Sequence, residues 1–166
     1  EAGWLVSQEL TGSTAEDLNV IALKELEAGQ DELNIWLDRP TREGRDASRE
    51  VPSVGVCGIS LSTVGDMKRL LQGIHPEMIS LYWQSGTCAP ALYALLVGVL
   101  KEKGIPGEAA RGCLGLDPVG WLADTGSFPG ERERVFDIMA GLMESARETL
   151  PALQVIEARG HAYHDA

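Results

Sequence analysis

Residues 78–117, MISLYWQSGTCAPALYALLVGVLKEKGIPGEAARGCLGLD, contain the pattern that decides the fold. The apolar segments 78–83 and 111–116 predict strands, and 89–103 predicts a buried helix that ends at Gly104. Two strands separated by a helix of this length predict a parallel βαβ unit, because antiparallel neighbours need only a short turn.

The same alternation extends over the rest of the chain. Further strands are predicted at 33–37 and 153–157, with a short strand or strand edge at 56–61, and further helices at 13–29, 62–73, 118–123 and 131–150. The first helix is expected to begin at Ser13, because Ser13 and Glu16 have the spacing of a capping box. No GxGxxG or GxxxxGK[ST] loop follows a predicted strand, which removes the main support for a nucleotide-binding fold. We therefore predict an α/β fold: four βα units forming the N-terminal half of a (β/α)8 TIM barrel, with 1–166 as one domain cut after its fourth strand.

The composition indicates an ordinary acidic globular domain. The chain has 166 residues, 44% of them hydrophobic, and a formal net charge of −11, which argues against a nucleic-acid partner. The longest apolar run, 89–100, is too short to span a membrane, and no signal peptide is visible. The three cysteines contain no Cys-x-x-Cys pair and are expected to be buried structural thiols in a cytoplasmic protein.

Polar residues follow the predicted strands, where a barrel places its site. Asp38 and Asp117 each come directly after a strand and are candidates for an acid/base pair, although two carboxylates often occur at the top of a barrel without that role. Trp36 and Trp83 could stack on a ligand, although filling of the core is the more ordinary role. The charged run 42–50 is interpreted as a solvated loop, with an interface segment as the alternative.

The chain ends in GHAYHDA, residues 160–166, which allows two interpretations. His161, His164 and Asp165 could bind zinc in a metal-dependent barrel hydrolase, because histidine and carboxylate are zinc ligands. The alternative is a turn after the last strand, in which the histidines form ordinary hydrogen bonds. We favour the turn, because nothing upstream matches a hydrolase metal pattern.

Four segments resemble a known family: GSTAEDLN, AGQDELNIWLD, STVGDMKRLL and RGCLGLDPVGWLA. They are similar to the acyl-CoA-binding barrel of adenosylcobalamin-dependent methylmalonyl-CoA mutases, above all to the small, non-catalytic subunit of the heterodimeric bacterial enzymes. The similarity covers nearly the whole chain. It implies a segment of an isomerase that interconverts methylmalonyl-CoA and succinyl-CoA, with the catalytic subunit as partner.

Where the family has catalytic residues, this sequence differs. The resemblance puts the active-site tyrosine at Glu9, the arginine that holds the substrate carboxylate at Thr125, and the histidine of a GYH motif at Ala162. No catalytic residue is therefore expected. A two-residue gap in the comparison would put the family's histidine at His164 instead. The alternative is therefore a catalytic acyl-CoA mutase barrel that uses His164, with Asp117 as a second candidate catalytic residue.

Residues 79–86, ISLYWQSG, correspond to a strand that has small polar residues in the catalytic barrels of the family. Ile79, Leu81 and Trp83 share one face of this strand because side chains alternate. They are expected to fill the channel that holds the pantetheine arm in catalytic barrels, so no substrate-binding residue is expected either.

The family binds cobalamin through a DxHxxG motif, which this sequence lacks, so adenosylcobalamin is expected in the holoenzyme but not on this segment. A half-barrel with open edges is also expected to self-associate unless further chain covers it.

Overall fold

The computed structural model describes residues 3–45 and 53–164, without the side chains of His161 and Ala162. Within this part of the chain, one sheet contains five parallel strands in chain order. The strands are β1 (Ser7–Leu10), β2 (Glu32–Trp36), β3 (Ser80–Gln84), β4 (Arg111–Leu116) and β5 (Leu153–Ile156).

Helices connect the strands and follow the last one. They are α1 (Ala15–Glu27), α2 (Arg39–Arg42), α3 (Val64–Leu70), α4 (Ala89–Lys103), α5 (Pro118–Thr125), α6 (Arg132–Thr149) and α7 (His161–His164). The predicted α/β fold class is confirmed, and parallel strands alternating with helices are the arrangement of the N-terminal part of a TIM barrel. None of the described helices is long and apolar enough to cross a membrane.

Two strand predictions were wrong. The first strand, β1, was missed because its sequence SQEL is polar and exposed at all but Leu10. Over the predicted strand 56–61 the structure has a single bridge, between Leu37 and Ile59. Ile59 is completely buried although it forms only this bridge. The apolar residues of this segment therefore indicate burial and not strand pairing.

The helix ends follow local side-chain chemistry. Thr14, not Ser13, caps α1: its hydroxyl accepts the amide hydrogen of Asp17 at 3.1 Å. Thr63 and Asp66 form the capping box of α3. Gly104 ends α4, as predicted, in the left-handed conformation with φ +67°, which glycine adopts without a Cβ clash.

Helices pack on one side of the sheet. Crossovers between parallel neighbours are right-handed as a rule, which favours one face for the connecting helices. The three longest helices contact the sheet: α1 contacts β1, α4 contacts β4 and α6 contacts β5. On β2 and β3 this face carries Leu33, Ile35, Leu81 and Trp83, all buried and part of one core with helix residues such as Leu96. Leu33 is paired with Leu81, and Ile35 with Trp83, so the two strands present the same face.

We call the other side of the sheet the open face. On β2 and β3 it carries six residues between the core positions: Glu32, Asn34, Trp36, Ser80, Tyr82 and Gln84. Asn34 is in register with Tyr82 and Trp36 with Gln84. Glu9 of β1 is in register with Asn34, so it belongs to this face as well.

The face of Ile79, Leu81 and Trp83 requires a correction. Leu81 and Trp83 are buried, as predicted, and Ile79 is partly buried against the core. However, Leu81 and Trp83 pack towards the helices and not into a channel, because they are in register with Leu33 and Ile35, and Ile79 packs against the same core. The interpretation of these three residues as a plug in the substrate channel is therefore wrong.

Replacement of Trp83 by alanine should lower the free energy of unfolding by about 3–5 kcal/mol, because a fully buried indole leaves a cavity. The matched control is Trp4→Ala, which removes an indole that is 98% exposed and should change stability by less than about 0.5 kcal/mol. Urea unfolding of both variants is the measurement. Equal stabilities of the two variants would contradict the assignment of Trp83 to the core.

Candidate functional site

Asp38 lies where β2 ends and is completely buried. Its Oδ1 accepts the amide hydrogen of Thr41 at 2.9 Å, and its Oδ2 accepts that of Gly55 at 2.7 Å. The first contact caps α2, and the second attaches the segment around Gly55 to the end of the strand. Both oxygens are therefore used in holding backbone.

Asp117 has the corresponding role at the end of β4. Its Oδ1 accepts the amide hydrogen of Gly120 at 2.8 Å and caps α5, and its Oδ2 accepts the amide hydrogen of Arg159 at 2.9 Å. Asp117 thereby connects the end of β4 to the chain after β5. With these contacts, Asp38 and Asp117 position the backbone, and we assign neither to proton transfer.

Five side chains from three strands and their following segments meet at the carboxyl end of the open face. We call them the carboxyl-end cluster: Trp36, Arg42, Tyr82, Glu157 and Arg159. The Tyr82 hydroxyl donates a hydrogen bond to Glu157, whose carboxylate pairs with Arg159 Nε at 3.2 Å. The guanidinium carbons of Arg42 and Arg159 lie 5.1 Å and 5.4 Å from the centre of the Trp36 ring, within cation–π distance.

The sequence patterns did not single out this cluster as a unit. Trp36 and Tyr82 were not recognised as sharing a face, because the register between their strands was not known. Glu157 and Arg159 are two residues apart after an apolar strand, so an extended chain points both to one side. That spacing is the signal that could have found them.

Arg42 is a member of the cluster whose pKa is shifted by its surroundings. Burial lowers the pKa of its guanidinium, and the positive charges of Arg159 and Arg39 lower it further, against the opposite influence of Asp38 and Glu43. Its Nε is buried without a hydrogen-bond partner among the described residues. Arg42 is therefore a half-buried cation with little local compensation.

Elsewhere on the open face, polar side chains of β2 and β3 form hydrogen-bonded pairs. Ser80 Oγ donates to Glu32 Oε2 at 2.7 Å, and Gln84 Nε2 donates to Asn34 Oδ1 at 3.3 Å. The Oε1 of Gln84 is buried and has no partner among the described atoms. This part of the face resembles the lining of a polar channel more than a packed core.

The cysteines divide into two groups. Cys88 and Cys113 are buried, as predicted; burial raises the pKa of Cys88 to about 12 and also raises that of Cys113. A raised pKa removes the thiolate that a nucleophile needs. Cys57 is exposed, contrary to the prediction, in a turn where its φ is +54°.

The positions that the family resemblance puts at catalytic residues are not among the five residues of the cluster. Glu9 is exposed on β1, and Thr125 ends α5 with its hydroxyl 2.8 Å from the carbonyl oxygen of Trp121. His164 is exposed at the end of α7, which follows β5 and packs against α5. The side chain of Ala162 lies outside the described residues.

The metal interpretation concerns His161, His164 and Asp165. Asp165 and the side chain of His161 lie outside the described residues, so the proposed ligand set stays a prediction. Among the residues that the structure describes, no three histidine, cysteine or carboxylate side chains are placed to hold a metal ion.

Comparison with known proteins gives a consistent result. The model of the family described as methylmalonyl-CoA mutase matches residues 1–166. The methylmalonyl-CoA mutase of Cereibacter sphaeroides is 27% identical over 98% of this chain and 23% of its own length. The mitochondrial methylmalonyl-CoA mutase of Homo sapiens is 29% identical over 98% of this chain and 22% of its own length. The methylmalonyl-CoA mutase large subunit of Streptomyces virginiae is 32% identical over 67% of this chain and 15% of its own length. The chain spans less than about a quarter of the length of these relatives.

Replacement of Asp117 by alanine should lower the free energy of unfolding by about 1–3 kcal/mol, since it removes a helix cap and leaves the Arg159 amide without its acceptor. Asp137→Ala on the exposed surface of α6 is the control, with an expected change within about 0.5 kcal/mol. Chemical unfolding measures both. If Asp117→Ala were as stable as the control, Asp117 would be free for another role.

Proposed function

Because the chain belongs to the methylmalonyl-CoA mutase family, we propose that it is a barrel segment of the small, non-catalytic subunit of the adenosylcobalamin-dependent enzyme. In this proposal the segment is a structural and regulatory partner of the catalytic subunit. The reaction of the complete enzyme is the isomerisation of methylmalonyl-CoA and succinyl-CoA, and the catalytic subunit performs it.

The carboxyl-end cluster is the observation that carries the proposal. A (β/α)8 barrel places its reacting groups at the carboxyl end of the strands. Here Tyr82 and Glu157 connect β3 to the end of β5, while Arg159 and Trp36 extend the contact to β2. These large side chains occupy the end of the open face at which a substrate would have to react, which supports a role without catalysis.

Two substitutions support the same proposal. The resemblance puts a catalytic tyrosine at Glu9 and the arginine for the substrate carboxylate at Thr125. A carboxylate at position 9 would repel the carboxylate of methylmalonyl-CoA, and the hydroxyl of Thr125 already contacts backbone oxygens of Trp121 and Ser127. Neither residue can replace the bidentate contact that a guanidinium makes.

A catalytic acyl-CoA mutase barrel is the second candidate. The polar lining of the open face, with Ser80, Asn34 and Gln84, favours it because such a surface suits a polar pantetheine arm. Relatives that are named as large subunits, such as that of Streptomyces virginiae, also favour it. In that case His164 would supply the imidazole. No observation favours the metal-dependent hydrolase.

Adenosylcobalamin does not fit the residues described. Of the three histidines, none stands in a DxHxxG sequence. His75 lies before β3, at the amino end of the strands, with its Nδ1 3.1 Å from Glu77 Oε1. His164 is itself exposed, at the end of the short helix α7. We therefore assign no step of the reaction to cobalamin bound by this segment.

The partner and the location are part of the proposal. The open face and the edges of β1 and β5 are the surfaces that further barrel strands would cover, either within a longer chain or from a second copy. The catalytic mutase subunit is the proposed physiological partner in a heterodimer. A cytoplasmic location completes the proposal.

The purified chain, mixed with methylmalonyl-CoA and adenosylcobalamin, should form no succinyl-CoA, and calorimetry should detect no binding of adenosylcobalamin. An active methylmalonyl-CoA mutase is the positive control. A Glu157→Ser/Arg159→Ser double variant should gain measurable affinity for acyl-CoA, because it removes the bulk of the carboxyl-end cluster. Gln154→Ser, lower on β5, is the matched control and should gain none.

Turnover by the unmodified chain would overturn the non-catalytic role. It would support the catalytic barrel if His164→Ala then abolished that turnover. If neither variant differed from the unmodified chain in acyl-CoA binding, the cluster would not be what closes the open face.

Sedimentation velocity tests whether the open face needs a cover. We expect the chain to associate with itself at low micromolar concentration, since an uncovered sheet face with two strand edges seldom stays monomeric. A stable monomer with one cooperative unfolding transition would contradict this expectation.

A further inference from the structure

One guanidinium at the carboxyl end of the sheet, that of Arg42, has no carboxylate partner within the part of the chain that the structure describes. Arg42 is half-buried at the end of α2 and makes no ion pair within 4.0 Å among the described residues. Its neighbours do: Arg39 and Arg45 bind the two oxygens of Glu43 at 2.7 Å and 3.0 Å. The carboxylate nearest in sequence is thus already shared by two other arginines.

A second guanidinium reinforces the positive charge. Arg159 lies over the same Trp36 ring as Arg42, and its position is fixed from two sides. Its backbone amide is bound by Asp117, and its Nε is paired with Glu157. Glu157 also accepts the hydrogen bond of Tyr82, so its charge is divided between two donors.

Two arginines beside one indole are unexpected in a chain with a net charge of −11. Like charges repel, and the hydration that half-buried Arg42 loses is offset only in part by the charges of Asp38 and Glu43. The lowered pKa of Arg42 has these same two causes, burial first and the charge of Arg159 second. An arrangement of this kind is stabilised when an anion binds to it.

Hydrogen-bond donors without partners near Arg42 also point to a bound anion. The Nε of Arg42 and the Nε1 of Trp36 are hydrogen-bond donors without a partner among the described residues. Buried polar atoms usually have partners, so two unpartnered donors at one ring indicate that an acceptor binds there.

We propose that a small oxyanion, a carboxylate or a phosphate group, binds Arg42 beside Trp36, with the charge of Arg159 adding to the attraction. A guanidinium presents parallel N–H groups that match two oxygens of either anion. Both guanidinium carbons lie within 5.4 Å of one ring centre, so both positive charges act on an anion beside this ring. This site goes beyond the non-catalytic role and does not depend on it.

The test is a titration of the purified full chain with sodium malonate and, separately, with inorganic phosphate. Sodium chloride at the same ionic strength is the reference. Intrinsic tryptophan fluorescence reports the event at Trp36, and a Trp36→Phe variant identifies the part of the signal that comes from this ring. We expect saturable binding of at least one of the two anions, and the tighter one identifies the chemical class.

Variants locate the site. Arg42→Gln should raise the Kd about tenfold or more, and Arg42→Lys should weaken binding less, because it keeps the charge and loses the fork. Arg45→Gln, an exposed arginine shortly after α2, is the matched control and should leave the Kd unchanged. Thermal unfolding of each variant shows whether it is folded. If Arg42→Gln were not folded, Arg42→Lys would carry the comparison.

Two results would overturn the proposal. One is a response to malonate and phosphate that is no larger than the response to chloride. The other is saturable binding that folded Arg42 variants retain unchanged, since the anion would then bind elsewhere.

Discussion

The register between β2 and β3 is the constraint on which the rest of the structure depends. It pairs Leu33 with Leu81 and Ile35 with Trp83, so that one side of the sheet is continuously apolar and packs on the helices. A shift of one residue would turn these side chains to the other side of the sheet and bring Tyr82 and Asn34 into the core. The cost of burying those polar groups fixes the register.

The site follows from the same alternation. Residues between the core positions must face away from the helices, which brings Trp36 and Tyr82 to one surface. Asp117 then fixes Arg159 by binding its backbone amide, and Glu157 connects Arg159 to Tyr82. The apolar residues determine how the strands pair, and the strand pairing brings the residues of the carboxyl-end cluster together. The polar contacts within the cluster then fix the orientations of its side chains.

The sequence predicted much of this fold and little of the site. The helix α4 and its end at Gly104 were recognisable because an apolar run followed by glycine has a strong local signal. The strand β1 was not, because three of its four residues are polar and exposed. The family resemblance located Glu9 and Thr125 at the positions of catalytic residues, and these assignments need no register.

Which face Trp83 occupies could not be read from one strand alone. Alternation shows that Leu81 and Trp83 share a face, but only the pairing with Leu33 and Ile35 shows which face it is. The cluster has the same origin: Trp36, Tyr82 and Glu157 are far apart in sequence. A charge such as that of Arg42, which looked like part of a solvated loop, becomes notable only beside Arg159.

A double-mutant cycle between Tyr82 and Glu157 tests the central claim, that these strands meet through a polar bridge on the open face. Tyr82→Phe and Glu157→Gln are measured singly and together by urea unfolding, with Tyr93→Phe, whose hydroxyl instead contacts the carbonyl oxygen of Ser145, as the uncoupled reference. The account predicts a coupling free energy of about 0.5–3 kcal/mol for Tyr82 with Glu157, and additivity for Tyr93 with Glu157. Additivity of Tyr82 and Glu157 would contradict the account, because the two side chains would then not meet on the open face.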